Sequence, residues 1–250
     1  MLREKAEIFI ERLEKAGKAV VLTGAGVSTS SGIPDFRSKN GLYSKISEDT
    51  FDLDNFLAKP LEYYKTALEY IHPLADAEPN AAHKMLAELE SRGLIEAVIT
   101  QNIDNLHQKA GSKNVVEFHG NIKSFFCTGC AKQYTRNEVE EFLLEGKLPE
   151  CRECGRMIRP GVVFFGDPIP EKALTYSYRL ASECGAFAAI GSSLCVMPAS
   201  NLPLIAMQGG ADVFVINREQ VYPDNMTEYN FTVDISEFSE AVLEVLGQSS

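Results

Sequence analysis

The sequence predicts an α/β protein, with a parallel sheet covered on both faces by helices and a smaller module inserted into it. Three observations support this fold class: short apolar runs recur along the chain, amphipathic helical patterns separate them, and two segments interrupt the alternation. Alternating strands and helices are typical of parallel sheets, because a helix usually returns the chain for the next strand. With 250 residues, 45% of them hydrophobic, the chain is long enough for a substantial core.

The predicted strands are four short apolar runs, each followed by glycine or polar residues. They cover residues 18–23, 95–100, 187–190 and 212–216. Continuous apolar runs of this length are typical of strands buried on both faces. The residues that follow them would meet at the carboxyl edge of the sheet, where open α/β sheets bind ligands.

The predicted helices are apolar on one face. Residues 81–92 and 171–183 show this pattern, and so does the start of the chain, where Leu2, Phe9 and Leu13 stand among charged residues. The starting segment has no continuous apolar stretch, so we expect neither a signal peptide nor a membrane span. Each helix is expected to pack its apolar face against the sheet.

Two segments interrupt the alternation and divide the chain. Residues 38–79 are rich in aromatics and helical in pattern, and residues 124–160 contain four cysteines. We predict a sheet domain made of residues 1–37, 80–123 and 161–250, a helical insertion at 38–79 with a cofactor loop, and a cysteine module at 124–160. A junction between a sheet and a small module is a favoured place for a ligand cleft.

The cysteine module contains two close pairs, Cys127 with Cys130 and Cys151 with Cys154, separated by the twenty residues 131–150. Two C-x2-C pairs brought together supply four thiolates at the corners of a tetrahedron, the ligand set of a structural Zn²⁺ with no open coordination position. We therefore predict one structural zinc ion and look for chemistry elsewhere.

Cysteine usage and charge bear on the compartment and the partners. Six cysteines in 250 residues are too few for a secreted disulfide scaffold, which favours a reducing, cytoplasmic location, with Cys184 and Cys195 as buried free thiols. The net charge of −11, from 24 basic and 35 acidic residues, argues against a nucleic-acid surface and suits a basic protein segment as a partner. We expect a monomer without membrane association.

A glycine-rich stretch, TGAGVS, follows the first predicted strand. Gly24 and Gly26 would let backbone N–H groups approach a pyrophosphate at a helix N-terminus. The dinucleotide fingerprint is incomplete, since Thr29 stands where a third glycine would fall and no acidic residue follows a second strand about twenty positions on. Taken alone, the pattern also fits a plain tight turn.

The continuation of this stretch strengthens the ligand hypothesis. An acid, an aromatic ring and a guanidinium stand side by side at Asp35, Phe36 and Arg37. The guanidinium can pair with phosphate and the ring can cover a base. A second polar cluster, TQNIDNLH at 100–107, follows the second strand, and its alternative reading is a helix start capped by Asn102 or Asp104.

Further candidate residues lie near the cysteine module and after the later strands. His119, in FHG, precedes the module, and an imidazole is suited to general-base catalysis, although a lone histidine is more often structural. The run RPGVVFFGD at 159–167 is interpreted as a core strand, with a peptide-binding edge strand as the alternative. GSS at 191–193 and INR at 216–218 would extend the ligand-facing edge of the sheet.

In this order and spacing, the motifs resemble those of the sirtuins, the NAD-dependent protein-lysine deacylases. GAGVSTSSGIPDFRS, TQNIDNLHQKAG, EFHG, the two cysteine pairs, RPGVVFFGD, GSSLCVMPAS and IN all match, between about residues 18 and 235. The length resembles that of compact prokaryotic members. The resemblance implies an inverted Rossmann-like NAD-binding domain with a small zinc-ribbon and helical insertion domain.

The resemblance also implies a role for each matching residue. NAD would be bound by Gly24, Ala25, Thr29, Asp35, Phe36, Arg37, Gly191, Ser192, Ser193, Asn217, Asp234 and Ile235, and its nicotinamide ribose by Gln101, Asn102, Ile103 and Asp104. Catalysis would depend on His119 as general base, together with Asn102 and Asp104. Acyl-lysine would lie against Val163, Phe165 and Val196.

The implied reaction removes an acetyl group from a protein lysine. The amide oxygen of acetyl-lysine would attack the ribose C1′ as nicotinamide leaves, and His119 would take a proton from a ribose hydroxyl that attacks the resulting imidate. The products would be lysine, nicotinamide and O-acetyl-ADP-ribose. Two alternatives remain at this stage: an ADP-ribosyltransferase with the same NAD pocket, and a zinc-ribbon protein that binds nucleic acid.

Two departures from the family pattern bear on the substrate. Asp167 stands where many members have Glu, one methylene longer, so we expect a changed loop contact with the substrate. Members that prefer succinyl or malonyl groups carry a Tyr-x-x-Arg pair, whereas here Tyr64 is followed by Ala67 and no arginine lies between Arg37 and Arg92. A carboxylate in the tunnel would lack a cation, so we predict a deacetylase for neutral acyl chains.

Overall fold

The computed structural model describes residues 1–221, 223 and 226–248. Its α-helices are α1 (Leu2–Ala16), α2 (Leu53–Ala58), α3 (Pro60–Tyr70), α4 (Ala81–Ser91), α5 (Leu106–Ala110), α6 (Arg136–Leu144), α7 (Glu171–Glu183), α8 (Leu202–Gln208) and α9 (Ile235–Gln248). Its strands are β1 (Ala19–Thr23), β2 (Ala97–Thr100), β3 (Val115–Glu117), β4 (Gly120–Cys127), β5 (Gln133–Thr135), β6 (Ile158–Val162), β7 (Ala186–Ile190), β8 (Asp212–Asn217) and β9 (Tyr229–Thr232). None of the helices in these described residues has an apolar stretch that would span a bilayer.

Six parallel strands form the main sheet in the order β3-β2-β1-β7-β8-β9. The chain starts in the middle at β1, moves outward to β3, and returns to β7 beside β1 before moving outward on the other side. This is the strand order of a dinucleotide-binding sheet, in which ligands bind where the direction reverses. Because β1 and β7 are paired as far as Thr23 and Ile190, the loops that follow them begin side by side.

The two faces of this sheet have separate apolar cores. Val21 faces the core that α1, α4 and α9 complete, whereas Leu22 faces the core that α7 and α8 complete. Successive residues of a strand point to opposite faces, so a fully buried strand such as β1 needs apolar residues throughout. The predicted α/β class with a Rossmann-like sheet and a separate small sheet is confirmed.

The four predicted strands of the main sheet and the helices predicted at 81–92 and 171–183 are present, with ends that shift by at most two residues, and the first helix is α1. The strand interpreted at 159–167 is shorter, because β6 ends at Val162, and it lies at the edge of the small sheet. Two strands of the main sheet, β3 and β9, escaped prediction. Both are short edge strands that are only partly buried, so they lack the continuous apolar run that identifies a central strand.

A second, antiparallel sheet in the order β5-β4-β6 forms the small domain with the helices of the helical insertion. Phe56 and Tyr64 from the insertion share one apolar cluster with Phe125 and Ile158 from the cysteine module. This sheet begins at Gly120 and ends at Val162, so its strands run into the main domain at both ends. The domain boundaries given above remain a prediction.

Candidate active site

A cavity of about 670 Å³ lies between the carboxyl edge of the main sheet and the small domain. Its walls come from the segments that follow β1, β2, β7 and β8 on one side and from the segment after β6 on the other. The volume falls in the range usual for small-molecule sites. His119 lines this cavity close to the place where the two sides meet.

The glycines after β1 bring two loops into close contact. A Cβ atom on Gly24 would lie 2.7 Å from Ser192 Cα, and one on Gly26 would lie 2.8 Å from Gly191 Cα. The Gly26 N–H donates to the Gly191 carbonyl at 2.8 Å. Two short 3₁₀ turns, Ala25–Val27 and Thr29–Ser31, follow β1 in place of the long helix of a standard fingerprint. These glycines therefore permit the β1 and β7 loops to touch, a requirement that the incomplete fingerprint did not indicate.

Ser192 connects three of the loops that form this side of the cavity. Gln101 Nε2 donates to Ser192 Oγ at 2.7 Å, and Asn217 Nδ2 donates to the Ser192 carbonyl at 3.0 Å. Gln101 follows β2, Ser192 follows β7 and Asn217 ends β8. Their neutral hydrogen bonds fix the spacing of the loops along the sheet edge.

The segment after the glycine turn folds back toward the small domain. Phe36 packs against Tyr43 and Phe51, with ring centroids 5.5 and 5.8 Å away. Asp35 Oδ1 accepts a hydrogen bond from the Ser38 N–H at 2.8 Å, so this carboxylate closes a local turn. Arg37 is exposed and lines the cavity, where its guanidinium is free to face solvent or an anion.

A buried polar network supports the segment that follows β2. Ser28 Oγ donates to Asp104 Oδ2 at 2.7 Å and accepts from Asn102 Nδ2 at 3.1 Å. Asp104 Oδ1 also accepts from the Leu106 N–H at 2.9 Å, at the start of α5. Asn102 and Ile103 line the cavity, whereas Asp104 lies behind the wall. The N-cap residue of α5 is Asn105, so the expected cap at Asn102 or Asp104 is wrong, although Asp104 accepts the first N–H of the helix.

Two histidines extend this network into the core. His83 and His107 are fully buried, with ring centroids 4.9 Å apart. Burial lowers the pKa of His83 to about 4 and that of His107 well below its usual value. His107 Nε2 lies 2.9 Å from Thr23 Oγ1, at the end of β1. Both imidazoles are neutral at pH 7 and act as hydrogen-bonding partners beneath the cavity.

His119 is half-buried, and its Nδ1 lies 3.1 Å from the carbonyl oxygen of Gln101. Burial lowers the pKa of His119, and the hydrogen bond to Gln101 opposes that shift. The ring is therefore neutral at pH 7, and the carbonyl selects the tautomer with the proton on Nδ1. Nε2 is left with a lone pair, as a general base requires.

The segment after β6 provides an apolar surface opposite the sheet loops. Val163 and Phe165, which we call the acyl wall, line the cavity together with Val196 from the β7 loop. The Val163 N–H donates to the His119 carbonyl at 2.9 Å, and the Phe165 N–H donates to the Phe51 carbonyl at 2.7 Å. Phe165 is 48% exposed, which leaves its ring available to a ligand.

The four module cysteines form one cluster, with every Sγ atom within 4.8 Å of the others. Cys127 and Cys154 have Sγ atoms 3.3 Å apart, and those of Cys130 and Cys151 are 3.6 Å apart. Four Zn–S bonds of about 2.3 Å in a tetrahedron place sulfur atoms about 3.8 Å apart, so this cluster fits zinc. A disulfide would need about 2.05 Å.

Donors around the cluster also suit thiolate ligands. Tyr134 Oη donates to Cys151 Sγ at 3.2 Å, and the Gly129 N–H donates to Cys127 Sγ at 3.3 Å. The hydrogen bond from Tyr134 is the main reason that the pKa of Cys151 is lowered, to about 6. The cysteines stand outside the cavity wall, in agreement with a structural metal.

Most of the predicted ligand residues line the cavity. They are Gly24, Ala25, Thr29, Asp35, Phe36, Arg37, Gln101, Asn102, Ile103, His119, Val163, Phe165, Gly191, Ser192, Ser193, Val196, Asn217 and Ile235. Asp104 and Asp234 do not. Asp234 caps α9 through the Ser236 N–H at 2.9 Å and pairs with Arg218 at 2.8 Å. These contacts make Asp234 a support for the Asn217 loop.

Sequence reasoning missed several cavity residues, including Tyr43, Phe51, Met197 and Glu219, whereas Arg218 of the INR segment lines the cavity as expected. The aromatic richness of the helical insertion was a signal for the first two. Cys195, expected to be buried, is exposed, while Cys184 is buried as predicted. Cys195 lies in the loop after β7, where an apolar neighbourhood in sequence did not lead to burial.

The positions compared with the Tyr-x-x-Arg pair lie in the core of the small domain. Tyr64 and Ala67 are both fully buried, and Tyr64 Oη donates to the Ile158 carbonyl at 2.7 Å. Neither residue lines the cavity, so they do not face an acyl chain there. The arginines and lysines of its wall within the described chain are Arg37, in the segment after the glycine turn, and Arg218, which follows β8.

A Rossmann-like sheet, a histidine at the mouth of its carboxyl edge and a four-cysteine module define a class of protein, and the family comparison agrees. A model of the Sir2 family matches residues 24–198. Because the match spans more than half of the chain, the chain belongs to the Sir2 family, the sirtuins.

Individual relatives support this membership over nearly the whole length. The NAD-dependent protein deacetylase of Thermotoga maritima is 45% identical over 245 residues, covering 98% of this chain and 100% of the relative. A solved structure of a Sir2 variant with deacetylated p53 peptide and 3′-O-acetyl ADP ribose has a TM-score of 0.92 at 44% identity, covering 96% of this chain and 98% of that one. A Sir2 structure with p53 peptide and NAD+ has a TM-score of 0.91 at 43% identity, with 97% and 98% covered.

Proposed function

We propose that this protein is an NAD-dependent protein-lysine deacetylase, which releases nicotinamide and transfers the acetyl group to ADP-ribose. The observation that carries the proposal is the position of His119, whose neutral ring lines one cavity with the sheet loops and the acyl wall. The relative from Thermotoga maritima bears the name of this activity, and a solved Sir2 structure holds the corresponding peptide and acetyl product.

NAD would lie along the sheet edge. The polar residues Ser192, Ser193 and Asn217 suit its adenosine half, and Arg37 suits a phosphate. Gln101, Asn102 and Ile103 would surround the nicotinamide ribose next to His119. A cavity of about 670 Å³ has room for much of a dinucleotide, with the remainder at the open rim. NAD supplies the electrophilic ribose carbon and the leaving group.

His119 would act as the general base. Its Nδ1–H donates to the Gln101 carbonyl, so Nε2 can accept a proton from a ribose hydroxyl without a change of tautomer. Asn102 and Asp104 would contribute differently from each other. Asn102 lines the cavity, whereas Asp104 acts through Ser28 and the backbone of Leu106 to position the segment after β2.

The deacetylase is preferred to an ADP-ribosyltransferase because the cavity joins a base to an apolar wall. A transferase has less need of a base on the ribose hydroxyl, while a deacetylase needs it to move the acyl group. Val163, Phe165 and Val196 provide a surface for the aliphatic part of acyl-lysine. Zinc would be held by the four cysteines and would stabilise the module that supports this wall.

We further propose that the enzyme prefers neutral acyl chains, acts in the cytoplasm and is a monomer. The preference is supported by the described part of the cavity wall after β6, which contributes the carboxylate of Asp167 and no lysine or arginine. Purified enzyme should remove acetyl faster than succinyl from the same lysine peptide. A faster succinyl reaction would contradict the preference.

The decisive experiment incubates the protein with an acetyl-lysine peptide, with and without NAD. Mass spectrometry should detect the deacetylated peptide and O-acetyl-ADP-ribose only in the presence of NAD. Product formed without NAD would overturn the proposal. ADP-ribose attached to protein or peptide, without deacetylation, would favour the transferase.

A further inference from the structure

A charged pair stands next to the acyl wall: Asp167 lines the cavity, and Arg159 does not. Arg159 in β6 and Asp167 are only 15% and 13% exposed, and Arg159 Nη2 lies 2.5 Å from Asp167 Oδ2. A second hydrogen bond joins Arg159 Nη1 to Asp167 Oδ1 at 3.3 Å. The contact is therefore bidentate, a geometry in which the guanidinium fixes both the orientation and the position of the carboxylate.

The same carboxylate closes the turn that carries the acyl wall. Asp167 Oδ2 accepts the Phe164 N–H at 3.0 Å, and the Asp167 N–H donates to the Phe164 carbonyl at 3.0 Å. Gly166 between them has φ +99°, in the left-handed region that favours glycine. Residues 164–167 thus form one closed turn, and Asp167 attaches it to β6 through Arg159.

The side chain of Phe164 anchors this turn in the core of the small domain. Phe164 is 1% exposed and stacks on Phe56 with ring centroids 4.7 Å apart. The Arg159 guanidinium lies over the Phe164 ring at 5.3 Å and over the Phe56 ring at 5.8 Å. Cation–π contacts of this kind restrain the guanidinium further.

The two residues of the acyl wall lie on either side of this anchored ring. Val163 bonds through its N–H to the His119 carbonyl, and Phe165 bonds through its N–H to Phe51. The intervening Phe164 N–H has Asp167 as its acceptor. The Asp167 carboxylate thereby accepts the hydrogen bond that the carbonyl of a neighbouring strand would accept in a sheet.

We propose that Arg159 and Asp167 are positioning residues for acyl-lysine, which set the place of Val163 and Phe165 relative to His119. The inference rests on the proposed deacetylase function and deepens it. The pair acts through the turn at residues 164–167 and leaves the NAD side of the cavity unaffected. Loss of the pair should weaken the binding of the peptide substrate and leave the binding of NAD unchanged.

Asp167→Asn tests the pair, because a carboxamide still accepts the Phe164 N–H but no longer neutralises Arg159. The dissociation constant for an acetyl-lysine peptide, and with it the peptide KM, should rise at least about tenfold, while the dissociation constant for NAD, measured by calorimetry without peptide, stays within about twofold. Asp167→Glu keeps the charge and should restore most of the peptide affinity. An unchanged peptide KM, or equal losses of NAD and peptide affinity, would overturn the proposal.

Arg159→Lys is the second variant, should Asp167→Asn fail to fold. Lysine keeps a cation next to Asp167 but removes the second hydrogen bond of the bidentate contact. The peptide dissociation constant should therefore rise several-fold, with NAD binding unchanged. Unchanged peptide binding in this variant would overturn the proposal as well. Lys147→Gln is the matched control, since it breaks an exposed pair with Glu145 and should alter neither ligand.

These measurements distinguish the two proposals. Peptide and NAD binding are measured at equilibrium, so they report on the pair even if the parent enzyme fails to deacetylate the peptide. A parent that binds both ligands without NAD-dependent deacetylation would refute the function, and a variant without selective loss of peptide affinity would refute the positioning role.

Discussion

The two sides of the cavity are built by different means. On the sheet side, loops that follow parallel strands touch through glycine and neutral hydrogen bonds, as in the contact of Gly26 with Gly191 and of Gln101 with Ser192. On the acyl side, the wall depends on a charged pair, Arg159 and Asp167, in a domain that contains a metal-binding cluster. The first side depends on close backbone packing, whereas the second depends on charge and on zinc.

This difference follows from the size of the two cores. The main sheet has an apolar core on each face, while the small domain has one core shared by two insertions. Small domains bury too little apolar surface for high stability and often use metals to compensate. Changes on one side of the cavity should therefore affect one ligand more than the other, and the following predictions test this.

The largest effect is expected at the boundary between the two sides, from His119→Ala. Removal of the general base should lower kcat for deacetylation by about a thousandfold, whereas the NAD dissociation constant should change little. Single-turnover kinetics and calorimetry measure the two quantities. Normal turnover would remove His119 from the mechanism, and an equal loss of NAD binding would make its role structural.

The next largest effect is expected in the small domain, from Cys151→Ala. Loss of one of four thiolates should release zinc and lower the free energy of unfolding by several kcal/mol, because structural zinc binding is coupled to folding. Zinc content by atomic spectroscopy and thermal unfolding measure this change. Cys195→Ala is the control, since Cys195 is exposed and outside the cluster. Full zinc occupancy in the Cys151 variant would contradict the site.

On the sheet side, Gly26→Ala should weaken NAD binding and leave peptide binding unchanged. The new Cβ would lie 2.8 Å from the Gly191 backbone, which cannot move without separating the β1 and β7 loops. Overpacking of this kind costs about 1–3 kcal/mol, and we expect about tenfold weaker NAD binding. Gly247→Ala, where a Cβ meets no atom within 4 Å, is the matched control. Peptide affinity that falls as much as NAD affinity would contradict the division into two sides.

The smallest expected effect is in the pH dependence of kcat. The base must be neutral, so activity is present above the pKa of His119 and is lost as the pH falls through it. Because burial lowers that pKa, the acid limb should have its midpoint below about 6.5. A pH–rate profile of the wild-type enzyme measures the midpoint. A midpoint at or above the ordinary value for histidine would show that His119 is not desolvated during catalysis.

Local sequence patterns determined much of this protein. The apolar runs identified the central strands because a strand buried on both faces has no polar position, and the spacing of the four cysteines identified a zinc ligand set because tetrahedral coordination needs two close pairs. Motif order identified the sirtuin family, which the comparisons confirm. The ligand-facing ends of β1, β2, β7 and β8 followed from the parallel topology.

Only the tertiary structure decided which of these residues meet. It buried Tyr64 and Ala67 in the small core, placed Asp104 behind the cavity wall and gave Asp167 its partner Arg159. These outcomes depend on contacts between segments far apart in the chain or on the direction of one side chain, and neither is encoded in local periodicity. The sequence thus determined the fold, the zinc ligand set and the strand ends that face the cavity. Packing determined which residues line the cavity and which support those that do.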